Sequence, residues 1–372
     1  MDRDKTDWLL IGLLWALGLL AAGQFAKVAL ALEALGRSYP GAPLPLAVSA
    51  LSITGIVFGV TAGVIVARLG LSRALIGAMA LGAVASLAQA LLPPFPVLLA
   101  LRLLEGVAHL GIVVAAPTAM AMAASPRDEP VAMGLWGTFF SLGFALWAVV
   151  VGVLPDPSAG FVLHAVALVA LALPLWRRLP PSPPVAQDRM AFVARHLEIY
   201  RAPRLVAPAL GFFWHTALFL GLLTFLPGFV GGWTAPLLPL VALVGTFGAG
   251  LAARRIAPRA VMMTGFALSL LGLAVLLAVP EEARGAVALC LIVVIGIVPG
   301  GAFAAVPALN QSRADRARAN GAMAQLGNVG TGVSVPLMAA TLGAGLTGPV
   351  AVAAVLSALG LGVVWLIHRK IA

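Results

Sequence analysis

Apolar residues run along this chain in long blocks separated by short polar stretches. About 20 apolar residues in a helix rising ~1.5 Å each cross the hydrocarbon core of a bilayer. The blocks predict helices over residues 8–32, 44–67, 73–92, 97–123, 131–154, 159–176, 204–228, 233–253, 260–279, 285–309, 321–343 and 349–367. The two long connections are 33–43 and 177–203. The fold class this predicts is an all-α polytopic membrane protein with twelve transmembrane helices. Composition agrees: 62% of residues are hydrophobic and 10% charged, with a mean hydropathy of +1.07, against about 25% charged residues in an ordinary soluble domain.

The net charge of +10 would suit a nucleic-acid partner. The cations, however, fall in short clusters between apolar blocks rather than along one face, so no nucleic acid is expected. With the N-terminus inside, 19 of the 23 Lys and Arg residues lie in cytoplasmic segments, and Arg37 and Arg284 lie outside. Lys27 and Arg102 fall within spans. This asymmetry predicts that both termini are cytoplasmic. Residues 1–7 hold three acids and two bases, unlike the basic start of a secretory signal, so 8–32 reads as a retained first helix. A single cysteine, Cys290, excludes an internal disulfide and a cysteine metal cage.

The chain repeats. Gly59, Ala67, Arg68, Arg73 and Ala74 align with Gly245, Ala253, Arg254, Arg259 and Ala260, and Gly134 and Gly143 align with Gly321 and Gly330. Two pseudo-symmetric six-helix halves follow, 1–176 and 204–372, with the solute site expected near the midplane between them. The connection 177–203 opens with a proline-rich run that ends any helix. Met190, Val193, Leu197 and Tyr200 then share a face, which predicts an amphipathic helix on the cytoplasmic membrane surface.

Two motifs carry a family resemblance. Residues 63–73 read G-V-I-V-A-R-L-G-L-S-R, which resembles the loop 2–3 signature of the major facilitator superfamily, G-x-x-x-D-R-x-G-x-R/K. Residues 249–259 are a weaker copy. Arg102-L-L-Glu105-Gly106 resembles the family's helix-4 signature R-x-x-x-G. The resemblance implies alternating access, with Gly63, Arg68, Gly70 and Arg73 as gating-loop residues and helices 1, 4, 7 and 10 lining the cavity. The signature's acid is replaced by Ala67, and by Ala253 in the copy, so the charge relay that shuts the cytoplasmic side in the family lacks its carboxylate here. The helix-5 antiporter signature G-x-x-x-G-P-x-x-G-G is also missing: residues 137–143 have no proline and the wrong spacing. In length and loops the chain is loosely similar to the small bacterial branch that includes cyanate-type permeases.

Ionisable residues inside spans are costly and point to function. Arg102, Glu105 and His109 are spaced by three and four residues, on one face of the fourth helix. Glu105 is the only carboxylate in any predicted span. Burial and the neighbouring Arg102 act on it in opposite senses, a balance that would let it exchange a proton near neutral pH. Arg102, Glu105 and His109 are thus the expected proton-coupling residues. Lys27 lies at the same depth on helix 1, and two cations in one vestibule would attract an anion. Lys27, Gln24, His109, His215 and Trp214 are the expected solute-binding residues, with His164 a weaker candidate. Trp136, Thr138, Asn310, Gln325 and Asn328 are further polar or aromatic candidates for the cavity, although helix packing is the usual role of such residues.

Of the ten Met residues none forms an M-x-x-x-M or H-x-x-x-M pair, so no metal site is expected. A phosphate loop for ATP is missing as well. The chain reads as a non-enzymatic, cofactor-free secondary transporter, monomeric in the lipid bilayer, coupling protons to uptake of a small polar or anionic solute. Efflux of small amphipathic compounds, and a non-transporting sensor or assembly factor, are the alternatives.

Overall fold

A computed structural model describes residues 5–125, 127–154, 156–180, 192–311 and 313–371. Among them every regular element is helical. Two compact units emerge, one of Met1–Thr54 with Thr61–Arg189, the other of Gly55–Val60 with Met190–Ala372.

The first unit contains α1 (Trp8–Ala29), α2 (Leu32–Ser38), most of α3 (Pro45–Phe58), α4 (Ala62–Leu69), α5 (Leu71–Ala90), α6 (Phe95–Ala123), α7 (Glu129–Gly137), α8 (Phe139–Val153) and α9 (Pro157–Arg178). The α3–α4 pair is one apolar segment bent by 80°, and α7–α8 is another bent by 41°. Helix α1 packs on α6, α8 and α9, and α5 packs on α6 and α9. Ile11, Leu14 and Leu17 of α1 meet Leu75 and Met79 of α5, Ile112 and Met120 of α6 and Leu168 of α9 in one buried core. Asp7 caps α1, accepting from the backbone N–H of Leu10 at 3.0 Å, which satisfies one of the orphan donors of the first turn.

The second unit holds α10 (Phe192–Arg201), α11 (Pro203–Phe225), α12 (Pro227–Val230), α13 (Leu237–Ala252), α14 (Pro258–Ala278), α15 (Glu281–Ile295), α16 (Ile297–Leu309), α17 (Arg313–Ala339) and α18 (Thr347–Arg369). Helix α11 lies against α16, α17 and α18, and α13 lies against α15 and α16. Small residues allow the approach. A Cβ on Gly245 of α13 would collide with the carbonyl oxygen of Val293, and one on Gly330 of α17 would meet the carbonyl oxygen of Phe213 at 2.6 Å. Lipid supplies no hydrophobic drive between helices, so such close contact is what holds them together.

Eight helices, counting Glu281–Leu309 as one, are long and apolar enough to cross a membrane, and ten if each bent pair is a single span. Helix α13, at 16 residues, is shorter. Helix α17, at 27 residues, is long enough but more polar, with Arg313, Asp315, Arg316 and Arg318 in its opening turns. Each of the twelve segments expected from the sequence is nonetheless occupied by a helix or helix pair, and the chain is a multi-pass membrane protein. Leu91 (82% exposed), Trp176 (72%) and Val244 (64%) are among many large apolar side chains on the outside, a surface suited to lipid and not to water.

Of the expected amphipathic linker helix, α10 is seen, while Arg189 and Met190 lie outside the described residues. Among its described side chains Ile199 is buried and Leu197 exposed, and the Val193 side chain lies outside the described ones. The Tyr200 hydroxyl donates to Gln325 Oε1 at 2.6 Å, and this bond to α17 decides which side turns inward. Burial pushes the Tyr200 phenol up to about 12.

Candidate functional site

In the first unit, polar residues from four helices converge. Helix α1 brings Gln24 and Lys27, spaced by one turn. Helix α5 brings Ser86 and Gln89, α6 brings Arg102, Glu105 and His109, and α9 brings His164. All eight are buried, and Lys27 is only 3% exposed.

Glu105 is the hub. Its Oε1 accepts from Lys27 Nζ at 2.6 Å. Its Oε2 accepts from Gln89 Nε2 at 2.8 Å and from Arg102 Nη1. The remaining Arg102 bonds go to backbone: Nε donates to the Ala47 carbonyl and Nη2 to the Gln24 carbonyl, both at 2.8 Å. Arg102 therefore ties α6 to α1 and α3, using its fixed fork of donors. Gly106 makes this possible, because a Cβ there would strike the Leu51 carbonyl of α3.

Lys27 completes its own set of three acceptors. Besides Glu105 it faces Ser86 Oγ at 2.7 Å and His164 Nδ1 at 3.2 Å. The Ser86 hydroxyl donates to the Phe161 carbonyl at 2.9 Å, which leaves its lone pairs for Lys27. His164 Nε2 lies 3.0 Å from the Leu20 carbonyl. A carbonyl can only accept, so Nε2 carries the proton and Nδ1 offers a lone pair. His109 reaches the cluster's edge through Gln24, with Nδ1 3.0 Å from Oε1. Gln24 Nε2, Gln89 Oε1 and the neighbouring Trp147 Nε1 are buried without a partner among the described residues.

Two cations and one carboxylate make the cluster formally +1 when both histidines are neutral. Unpaired charge in a dry interior is expensive, so the protonation of this site matters for what it does.

Lys27, Gln24, Arg102, Glu105 and His109 are brought together by the fold. As vestibule cations Lys27 and Arg102 would stand open to solute, whereas both are enclosed and ion-paired with Glu105. Ser86 and Gln89 were not singled out. Their signal, two polar residues one turn apart in the apolar block 73–92, is weak because neither carries charge. His215 and Trp214 lie in the second unit. His215 stacks on Phe219 and Phe212, with centroids at 4.9 and 6.0 Å, and its Nδ1 and the indole Nε1 of Trp214 are buried without partners among the described residues. No ionisable partner completes a network around them there.

The loop motif takes a definite form. Arg68 ends α4, and Arg73 sits in the first turn of α5. Between the helices Gly70 has φ +85°, a conformation that glycine alone adopts freely. Gly63, on α4, has open space beside it. Both arginines are exposed, without an ion-pair partner among the described residues. Ser72 between them donates to the Pro180 carbonyl at 2.5 Å, joining this loop to the end of the first half. Among the described residues no group of three His, Cys, Asp or Glu side chains is placed to hold a metal ion.

In sequence, no curated protein matches the chain. In structure, it is similar to the E. coli fucose:proton symporter FucP, with a TM-score of 0.65 at 16% identity, covering 99% of this chain and 100% of that one. At that identity the likeness speaks for the fold. The family model described as the Major Facilitator Superfamily matches residues 13–335. That match runs from the first helix of the first unit into α17 of the second, and the chain belongs to the major facilitator superfamily of secondary transporters.

Proposed function

We propose that this transporter couples protons to the uptake of a small polar solute, an anion in preference to a cation, across a bacterial inner membrane with both termini in the cytoplasm. The observation that carries the coupling is the buried Lys27–Glu105–Arg102 cluster. A structural ion pair needs two charges, whereas this one holds three, with a histidine lone pair against the odd one. A membrane interior tolerates such a group chiefly where protons or ions are handled. The excess positive charge favours an anionic solute. FucP, which shares the fold, is by its description a proton symporter. The orientation rests on the Lys and Arg asymmetry of the loops.

Alternating access requires that solute and proton reach the protein from one side at a time. In proteoliposomes carrying an interior pH dye, we expect one member of a panel of small carboxylates, neutral sugars and amphipathic cations to drive proton entry when added outside. Solute flux that leaves internal pH unchanged would remove the coupling. Outward flux confined to the amphipathic cations would replace uptake with efflux. A panel without any flux would favour a sensor or assembly role.

A further inference from the structure

We propose that the proton handled by this cluster is carried on Lys27, with His164 as the base that receives it, while Glu105 stays ionised throughout as a fixed counter-charge. The inference rests on the proton-coupled reading above and reassigns the titrating group within it.

The hydrogen bonds argue first. Both Glu105 oxygens already accept, from Lys27 on one side and from Gln89 and Arg102 on the other. A proton added to Oε2 would point at an N–H donor, and one added to Oε1 would weaken its bond from Lys27. Arg102 cannot give way, because a guanidinium is always charged and its other donors hold the Ala47 and Gln24 carbonyls. The three donors therefore favour the ionised, acceptor-only carboxylate.

Charge counting points the same way. Protonating Glu105 would leave two buried cations with no anion. Removing a proton from Lys27 leaves one arginine and one carboxylate, which is neutral. In a low-dielectric interior the neutral state is the accessible one.

His164 supplies the acceptor. With its Nε2–H on the Leu20 carbonyl, its Nδ1 lone pair faces Nζ at 3.2 Å. Transfer breaks one Nζ–H bond and forms one Nδ1–H bond. Lys27 becomes a neutral amine and His164 an imidazolium. Both imidazolium protons then keep acceptors, the Nζ lone pair and the Leu20 carbonyl, but the cluster is still +1, so His164 is a relay and the neutral state is reached when it passes the proton on to water.

The surroundings of Lys27 are otherwise plain. Helix α5 presents Ser86, with Gln89 one step away on Glu105; α6 presents Glu105, with Arg102 behind it and His109 held off on Gln24. Helix α9 presents His164 and the ring of Phe161, whose centroid is 5.1 Å from Nζ. Helix α8 contributes the uncharged indole of Trp147 beside His164, and α3 contributes only the Ala47 carbonyl on Arg102.

The chain has three lysines, Lys5, Lys27 and Lys370, so lysine isotope-labelled at Cε should give three resolvable NMR signals in nanodiscs. The signal lost in Lys27→Arg is expected to titrate separately from the two terminal lysines, and its titration should move in His164→Gln. The infrared carboxylic-acid band that Glu105→Gln would remove is expected not to appear over the same pH range. In vesicles, His164→Gln should slow solute-driven proton entry on the order of 100-fold. A Lys27 signal that keeps its ammonium position while a Glu105 acid band grows would overturn the assignment, as would titration of neither group. If Lys27→Arg does not fold, His164→Gln with the infrared band still decides. The titration needs no solute, so absence of flux would sink the transport reading and leave this one standing. Coupled flux with a Lys27 that never titrates would do the reverse.

Discussion

The two units bury different things at their centres. The first encloses Lys27, Arg102 and Glu105 and joins five helices through them. The second, among its described residues, encloses no Lys, Arg, Asp or Glu. It packs helix backbones almost in contact at Gly245 and Gly330, and its buried polar groups include hydroxyls bonded within their own helix, such as Ser269 on Gly265 and Ser357 on Ala353 at 2.7 Å. One unit is held at a charged hub of ion pairs. The other is held mainly by the close fit of its helices. Among the described residues, buried Lys, Arg and Glu side chains are thus confined to the first unit.

The largest test of that difference is to remove the hub. Glu105→Ala leaves two buried cations without an anion and should destabilise the protein by about 3–5 kcal/mol, read by unfolding in detergent. Lys27→Met removes the surplus charge instead and leaves the Arg102–Glu105 pair neutral, so its loss should stay near the ~1 kcal/mol of a hydrogen bond. Equal losses in the two variants would mean that the surplus charge is not what strains the cluster.

In the second unit the corresponding break is steric. Gly245→Val drives a branched side chain into the Val293 carbonyl and should lower stability by about 1–3 kcal/mol. The loss should vary less with pH than that of Glu105→Ala, because no Lys, Arg, Asp or Glu is buried in this unit among its described residues. An equally pH-dependent loss would blur the contrast between the units.

The smallest effect is at Tyr200. Its phenol, pushed up to about 12 by burial, stays neutral in the folded protein where an unfolded tyrosine ionises, near ~10. Its contribution to stability is complete below the unfolded value and is lost as pH rises through the folded one. Phenolate absorbance should therefore rise late in the folded protein. The second tyrosine, Tyr39, is also raised by burial, so Tyr39→Phe isolates the Tyr200 signal. Ordinary ionisation in that variant would mean that α10 does not rest on Gln325.

Much of the fold was legible because bilayer thickness sets block length and the cost of buried charge makes each intramembrane ion conspicuous. Lys27, Arg102 and Glu105 stood out for that reason. The bend between α3 and α4 did not, since residues 44–67 read as one apolar block although the helix turns by 80° within it. Ser86 and Gln89 were silent because neutral polar residues are ordinary helix glue. His164 looked no different from any histidine in a span until Leu20 and Lys27 were seen on its two nitrogens.

By itself, then, the sequence determined that this chain crosses a membrane many times, that it repeats, and that its intramembrane charge sits in the first half. Those properties follow from hydropathy and spacing, which are local. Only the tertiary structure decided that Lys27 meets Glu105 across 78 residues of chain. It also decided that both cations face inward on one carboxylate, and that a histidine from a fourth helix supplies the remaining acceptor. Pairing depends on which helix faces pack together, and a pattern read along one helix does not carry that information.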